Sequence, residues 1–152
     1  MPQAVTITGT RATSDVAVDV EKAFGEYVLP FADVGVHFYL GGAAGLDTLA
    51  LRWLAEHTSS GLTVVVPGGV ADQPASATDI VAECHRRDRL HEVVELSAAE
   101  LDASAYHARN RWMVDRSEFV IGFPFGSDPN SGTWYTLNYA AEHGKPRLVV
   151  PL

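Results

Sequence analysis

Short unbroken apolar runs alternate along this chain with stripes that recur every three to four positions. Ala4–Thr8 reads as a strand closed by Gly9. Ser14 is placed to cap a helix carrying Val16, Val20, Ala23, Phe24, Tyr27 and Val28 on one face, with Pro30 as its stop. Val34–Leu40 is the next strand and runs into Gly41-Gly42. The clearest stripe follows, Leu46, Leu49, Ala50, Trp53 and Leu54, and predicts a second helix. Leu62–Val66 is a third strand, ended by Pro67-Gly68-Gly69. Beyond a loop at Ala71–Ala75, the residues Ala77, Ile80, Val81 and Cys84 predict a helix that reaches Arg86–Arg89. His91–Leu96 is a fourth strand, and Ser97 with Glu100 has the spacing of a capping box. A helix is expected from about Ser104 to Ser117, a strand at Phe119–Phe123, and a polar loop at Pro124–Ser131. The last helix holds Trp134, Leu137, Asn138 and Ala141, stops at Gly144, and gives way to a strand at Arg147–Val150.

Strands of nearly continuous Val, Ile and Leu, alternating with helices, predict an α/β fold. The sheet is expected to be Rossmann-like, doubly wound and mostly parallel, with helices on both faces. With 152 residues and no internal repeat or linker, the chain reads as one domain over residues 1–152. Charge narrows the function. Eleven Lys and Arg stand against 19 Asp and Glu, a net −8, which argues against nucleic acid as a partner. One cysteine rules out an internal disulfide, and no histidine pair has metal-ligand spacing, so no metal is expected. Neither a membrane-spanning run nor a signal peptide is visible, so the expected location is cytoplasmic, without membrane contact.

In an open α/β sheet, ligands lie beyond the carboxyl ends of the strands. There this chain carries Gly9-Thr10-Arg11, then Gly41-Gly42-Ala43-Ala44-Gly45-Leu46-Asp47, and later Ser131-Gly132-Thr133. Glycine lets backbone N–H groups come close to a ligand, and the first turn of a helix attracts anions. Hydroxyls on Thr10, Ser131 and Thr133 and the guanidinium of Arg11 add donors. Arg109 falls on the apolar side of its helix, with Ala105, Ala108, Trp112 and Met113. A desolvated arginine needs an anionic partner, either a carboxylate of the protein or a ligand phosphate. Asn110 beside it is a candidate for a base or ribose hydroxyl. Neither a GxGxxG fingerprint nor a P-loop is present, which argues against an ordinary NAD dehydrogenase or NTPase.

Taken together, these segments resemble the SLOG superfamily, which includes the LOG phosphoribohydrolases and DNA-processing protein A. Ile7-Thr8-Gly9-Thr10-Arg11 and Gly41-Gly42-Ala43-Ala44-Gly45-Leu46-Asp47-Thr48 are similar to elements of the DNA-processing branch. Tyr106-His107-Ala108-Arg109-Asn110-Arg111 resembles motifs of both branches. Ser117–Ile121 and Ser131-Gly132-Thr133 resemble LOG segments, and the likeness runs from Val5 to Val150. The resemblance implies a nucleotide or nucleotide-derived ligand over the glycine loops. Gly41, Gly42, Gly45, Gly132 and Thr133 would hold phosphate, and Arg109 would meet phosphate or ribose.

The departures shape the expected function. Thr136 stands where LOG proteins carry their glutamate, and a hydroxyl cannot do a carboxylate's work at an oxocarbenium-like centre. The expectation is therefore a domain that binds or senses an AMP-like nucleotide, needs no cofactor and has no catalytic residue; the resemblance, not the sequence itself, suggests pairing as a homodimer. The alternative is a nucleoside monophosphate hydrolase with Asp47 or Asp128 as a relocated carboxylate. A third reading, single-stranded DNA binding, is disfavoured by net charge, and the Arg86, Arg87, Arg89 cluster reads as a solvated helix end. Trp134 is a candidate to stack on a base, and Cys84 reads as a buried small hydrophobe.

Overall fold

A computed structural model describes residues 1–152. Six strands form one sheet: β1 Ala4–Gly9, β2 His37–Leu40, β3 Gly61–Val66, β4 Glu92–Glu95, β5 Phe119–Phe123 and β6 Arg147–Val149. Five helices connect them: α1 Val20–Tyr27, α2 Leu46–His57, α3 Ala75–Arg86, α4 Ala103–Asp115 and α5 Gly132–Glu142. The strand order is β4-β3-β2-β1-β5-β6, and every pairing is parallel. This is the expected Rossmann-like α/β sheet, parallel throughout rather than mostly so. No helix is long and apolar enough to cross a membrane.

From β1 the chain steps outward to β4, then returns to β5 on the other side of β1 and continues to β6. Helices α1, α2 and α3 pack in sequence with one another, and α4 packs with α5. Right-handed crossovers in the two directions place these groups on opposite faces. The faces differ in composition. Val5, Ile7, Phe38, Leu40, Val64, Val66, Ile121 and Phe123 form one large core with Phe24, Leu46, Leu51 and Leu54. The other face is smaller and more polar: Val114, Val120, Leu137 and Ala140 form its apolar cluster, and Thr6 shares a 2.7 Å hydrogen bond with Ser117. The alternation Val5, Thr6, Ile7, Thr8 is therefore the imprint of two different faces.

Helix caps differ from the sequence reading where another residue competes. The first helix begins at Val20 because the Asp19 carboxylate accepts from Lys22 N, and Ser14 lies in the preceding loop. Ser97 and Glu100 form no capping box: Ser97 adopts φ 56°, and Asp102 caps α4 by accepting from Ala105 N. Strand β2 begins at His37 rather than Val34, because Asp33–Val36 closes a hydrogen-bonded turn and leaves Val34 exposed.

Two glycines fix the layers at the strand ends. A side chain on Gly122 would meet Leu137 at 2.6 Å, so the absence of one lets α5 lie close on β5. Gly45 has φ +77°, and a Cβ there would collide with the Arg11 carbonyl. We expect Gly45→Ala to cost about 2 kcal/mol or more, from left-handed strain plus overpacking. Urea denaturation measures this; an unchanged midpoint would mean that the Arg11 loop yields freely.

Candidate functional site

The reversal in strand order lies between β1 and β5, where the connections depart in opposite directions and leave a crevice. A cleft of about 430 Å³ opens there. Its walls come from the end of β1 (Gly9, Thr10, Arg11), the start of α2 (Ala43, Asp47), α4 (Tyr106, His107, Arg109, Asn110) and the start of α5 (Ser131, Gly132, Thr133). The loops predicted to converge on one sheet edge do so.

Arg109 forms the back of the cleft. It is 4% exposed, and no carboxylate oxygen lies within 4 Å of its guanidinium, since the one ion pair of the fold joins Arg87 to Glu83. Main-chain carbonyls and an amide hold it instead. Its Nη1 donates to the Gly41 carbonyl, and its Nε donates to Asn110 Oδ1 at 2.8 Å. Nη2 makes no hydrogen bond within the protein, and no polar side-chain atom is left both fully buried and unpaired. That donor therefore faces the cleft. Burial disfavours the charged guanidinium, and Asp47 favours it, although no direct ion pair forms.

Arg11 reaches the same space from the rim. Its guanidinium carbon lies 4.6 Å from the Tyr106 ring centre, and that of Arg109 lies 5.8 Å from the same ring. The tyrosine thus orders two cations without neutralising either. Opposite them, Ser131 caps α5 by accepting from Trp134 N, which leaves the first-turn N–H groups of Gly132 and Thr133 directed outward. Arginine forks facing a helix N-terminus make an anion site.

Asp47 opposes that charge from inside. It is buried, accepts from Ala43 N at 3.3 Å, and is pushed up to about 6, chiefly by desolvation. Arg109 pulls in the opposite direction without cancelling the effect. Near neutral pH the cleft therefore carries two guanidiniums against one carboxylate, and protonation of Asp47 in mild acid leaves them unopposed.

Several predicted site residues lie behind the cleft rather than on it. Gly41 has no wall position but holds Arg109 through its carbonyl, and a Cβ there would meet Arg109 at 2.8 Å. Gly42, with φ +67°, packs toward Val64 and Val66, and Gly45 packs against Arg11. These glycines permit close packing and do not line the cleft. Asp128 is outside it too, and its carboxylate accepts from Asn130 N in the loop. The Thr136 hydroxyl turns back to donate to the Gly132 carbonyl. Trp134 anchors the same loop by donating to the Gly126 carbonyl at 3.0 Å. The Arg86–Arg89 cluster divides: Arg87 pairs with Glu83, while Arg89 donates to the carbonyls of Ala55 in the last turn of α2 and of Thr58 and Ser60 just beyond it. Tyr106 was not singled out in the sequence, although the i, i+3 spacing to Arg109 carried that signal.

Fold and cleft together define a Rossmann-like domain with an arginine-lined crevice at its topological switch point. The family profile described as DNA recombination-mediator protein A matches residues 1–152, and the chain belongs to that family. Two solved structures share the fold. DNA processing protein A from Helicobacter pylori, described for its unique single-stranded DNA binding mode, superposes with a TM-score of 0.73 at 22% identity. That alignment covers 99% of this chain and 66% of the other. DNA processing protein A from Streptococcus pneumoniae superposes with a TM-score of 0.58 at 17% identity, covering 97% and 58%. The chain thus spans less than two thirds of either of these proteins. No curated protein sequence matches it.

Family membership corrects two expectations. A small nucleotide as the ligand, and nucleic acid as an excluded partner, both yield to a family of DNA recombination mediators. The error came from treating a net −8 as uniform, when Arg11 and Arg109 concentrate positive charge in one crevice.

Asp47 supplies a test of the electrostatics. Its raised pKa means that the folded state binds the proton more tightly than the unfolded one. Its contribution is thus most favourable in acid and is lost as pH rises from about 4 through about 6. At roughly 1.4 kcal/mol per pH unit, a rise from 3.8 to about 6 is on the order of 3 kcal/mol. The stability difference between Asp47→Asn and the unsubstituted protein should therefore move in the variant's favour by about that amount between pH 4 and pH 7. Denaturation at both pH values measures it, and a constant difference would show that Asp47 ionises as in water.

Proposed function

We propose that the cleft binds the sugar-phosphate backbone of single-stranded DNA, as expected for a member of the recombination-mediator family. The observation that carries this reading is Arg109, a buried guanidinium without a carboxylate partner and with one donor turned to the cleft. A phosphate there receives charge-assisted hydrogen bonds from Arg109 and Arg11 and main-chain N–H groups from the start of α5. The recess favours a single strand over a duplex. Duplex phosphates sit on a stiff convex surface, whereas a single strand bends to place one phosphate inside. Nothing in this arrangement reads a base edge, so binding is tolerant of sequence.

Two cationic contacts set the expected salt dependence. For a single strand the logarithm of affinity should fall against the logarithm of salt with a slope of about −1.4. Arg11 is exposed, so Arg11→Ala leaves the core intact. It should weaken binding of an oligo-dT about tenfold at low salt and make the slope shallower by about 0.7. Fluorescence anisotropy over a salt series reads both. Unchanged affinity and slope in Arg11→Ala would remove the cleft as the DNA site.

Protonation of Asp47 removes the one negative charge beside the proposed phosphate. Affinity should therefore rise as pH falls through about 6, and Asp47→Asn should bind at pH 7.5 at least as tightly as the unsubstituted protein does at pH 5.5. Equal affinities of the unsubstituted protein at the two pH values, matched by the variant, would contradict this coupling.

A further inference from the structure

Beside the cleft, four rings form a ladder along the groove between α4 and α5. His107, which lines the cleft, stacks on Tyr135 with ring centres 3.7 Å apart and planes 6° from parallel. Tyr135 and Tyr139 are also nearly parallel, at 15°, but their centres are 6.4 Å apart. Below them Tyr139 lies 4.0 Å from His143. Tyr135 and Tyr139 of α5 and His143 at its C-cap follow i, i+4, i+8 spacing, so their positions repeat about every 6 Å. The outer pairs have closed to contact distance and the middle pair has not.

Both tyrosines are fixed at the far end of the ring. Arg111 Nη1 donates to the Tyr135 hydroxyl at 2.8 Å, and the Tyr139 hydroxyl donates to Asp115 Oδ1 at 2.6 Å. Arg111 and Asp115 are themselves one turn apart on α4, so one helix holds both rings at its own repeat. The Tyr139–Asp115 bond is exposed, which makes this an open edge rather than a core contact. Bonding to the carboxylate raises the Tyr139 pKa and keeps the phenol neutral.

We infer that the gap between Tyr135 and Tyr139 is a stacking slot for one unpaired nucleobase of a strand whose phosphate lies in the adjacent cleft. This inference rests on the backbone-binding reading above and adds to it a separate site for bases. Stacked bases repeat at about 3.4 Å, so a planar ring between two others needs about 6.8 Å. The ring-centre distance of 6.4 Å is about 0.4 Å short of that, so the two rings part slightly to admit a base. An unpaired base offers both faces, whereas a base within a duplex has both faces covered. The slot therefore selects single strands, as the recess does, but for a different reason. Arg111, which bonds Tyr135, and Lys145, which bonds the Ser117 carbonyl beside Asp115, offer charge to the flanking phosphates, against Asp115. Sequence tolerance follows, because every base presents a π face.

The test compares two strands of about 12 nucleotides, a length suited to one binding domain. One is oligo-dT and the other is an abasic deoxyribose-phosphate strand of equal charge. The unsubstituted protein should bind oligo-dT about tenfold more tightly than the abasic strand. Tyr139→Leu should lower oligo-dT affinity to that of the abasic strand, and Tyr139→Phe, which keeps the ring, should retain most of the preference. Thermal melting of each variant confirms that it is folded, and Tyr135→Leu replaces Tyr139→Leu should the latter not fold. Equal affinity of the unsubstituted protein for both strands would overturn the slot and leave the phosphate cleft standing. A loss in Tyr139→Leu that is the same for both strands would also overturn it, as would equal losses in the Phe and Leu variants. Binding to neither strand would remove the phosphate-cleft reading and the slot with it.

Discussion

A charged guanidinium held inside the fold without a carboxylate is the constraint around which this molecule is arranged. A desolvated cation costs several kcal/mol unless its donors are met. Arg109 meets that cost with the Gly41 carbonyl and the Asn110 amide. Both are neutral dipoles that orient the group and leave its charge in place. The glycine at position 41 is the backbone's part of this arrangement, since a side chain there would occupy the space of the guanidinium. Asp47 is near enough to steady the cation but too desolvated to act as a full counter-ion at mildly acidic pH.

The rest of the fold makes that position available. The polar face of β1, with Thr6 bonded to Ser117, lets α4 pack without a thick apolar layer. The close approach of α5 over Gly122 brings the first turn of that helix to the opposite wall of the cleft. The reversal of strand order between β1 and β5 then leaves these walls apart at their upper ends. The crevice follows from topology, and its charge follows from one buried and one exposed arginine. On an acidic body such a crevice gives a phosphate a favourable place that the net charge does not reveal.

Much of this was legible in the sequence, and what was not has identifiable causes. Unbroken apolar strands announced the parallel sheet, and the clustering of Thr10, Arg109 and Thr133 at one edge followed from the topology. The placement of Arg109 on an apolar helix face correctly marked it as buried. The caps Asp19 and Asp102 were missed because Ser14 and Ser97 offered equally plausible ones, and only tertiary context chooses among them, although the start of α4 near Ser104 was read correctly. The glycines were assigned to the ligand, whereas Gly42 and Gly45 serve packing, since the same residue solves both problems. The exclusion of nucleic acid failed for a different reason: a summed charge carries no position, and Arg11 and Arg109 gather positive charge in one crevice. The pairing of Tyr135 and Tyr139 with Arg111 and Asp115 depends on how two helices lie together, which no single stripe reveals.

The central claim is that a DNA phosphate enters the cleft between Arg109 and the start of α5. Amide and guanidinium nitrogen resonances followed by NMR during titration with oligo-dT test it most directly. The account predicts that the largest shifts fall on the N–H groups of Gly132 and Thr133 and on the side chain of Arg109. Saturable binding that leaves those three signals in place, while residues on the α1–α3 side respond, would contradict it.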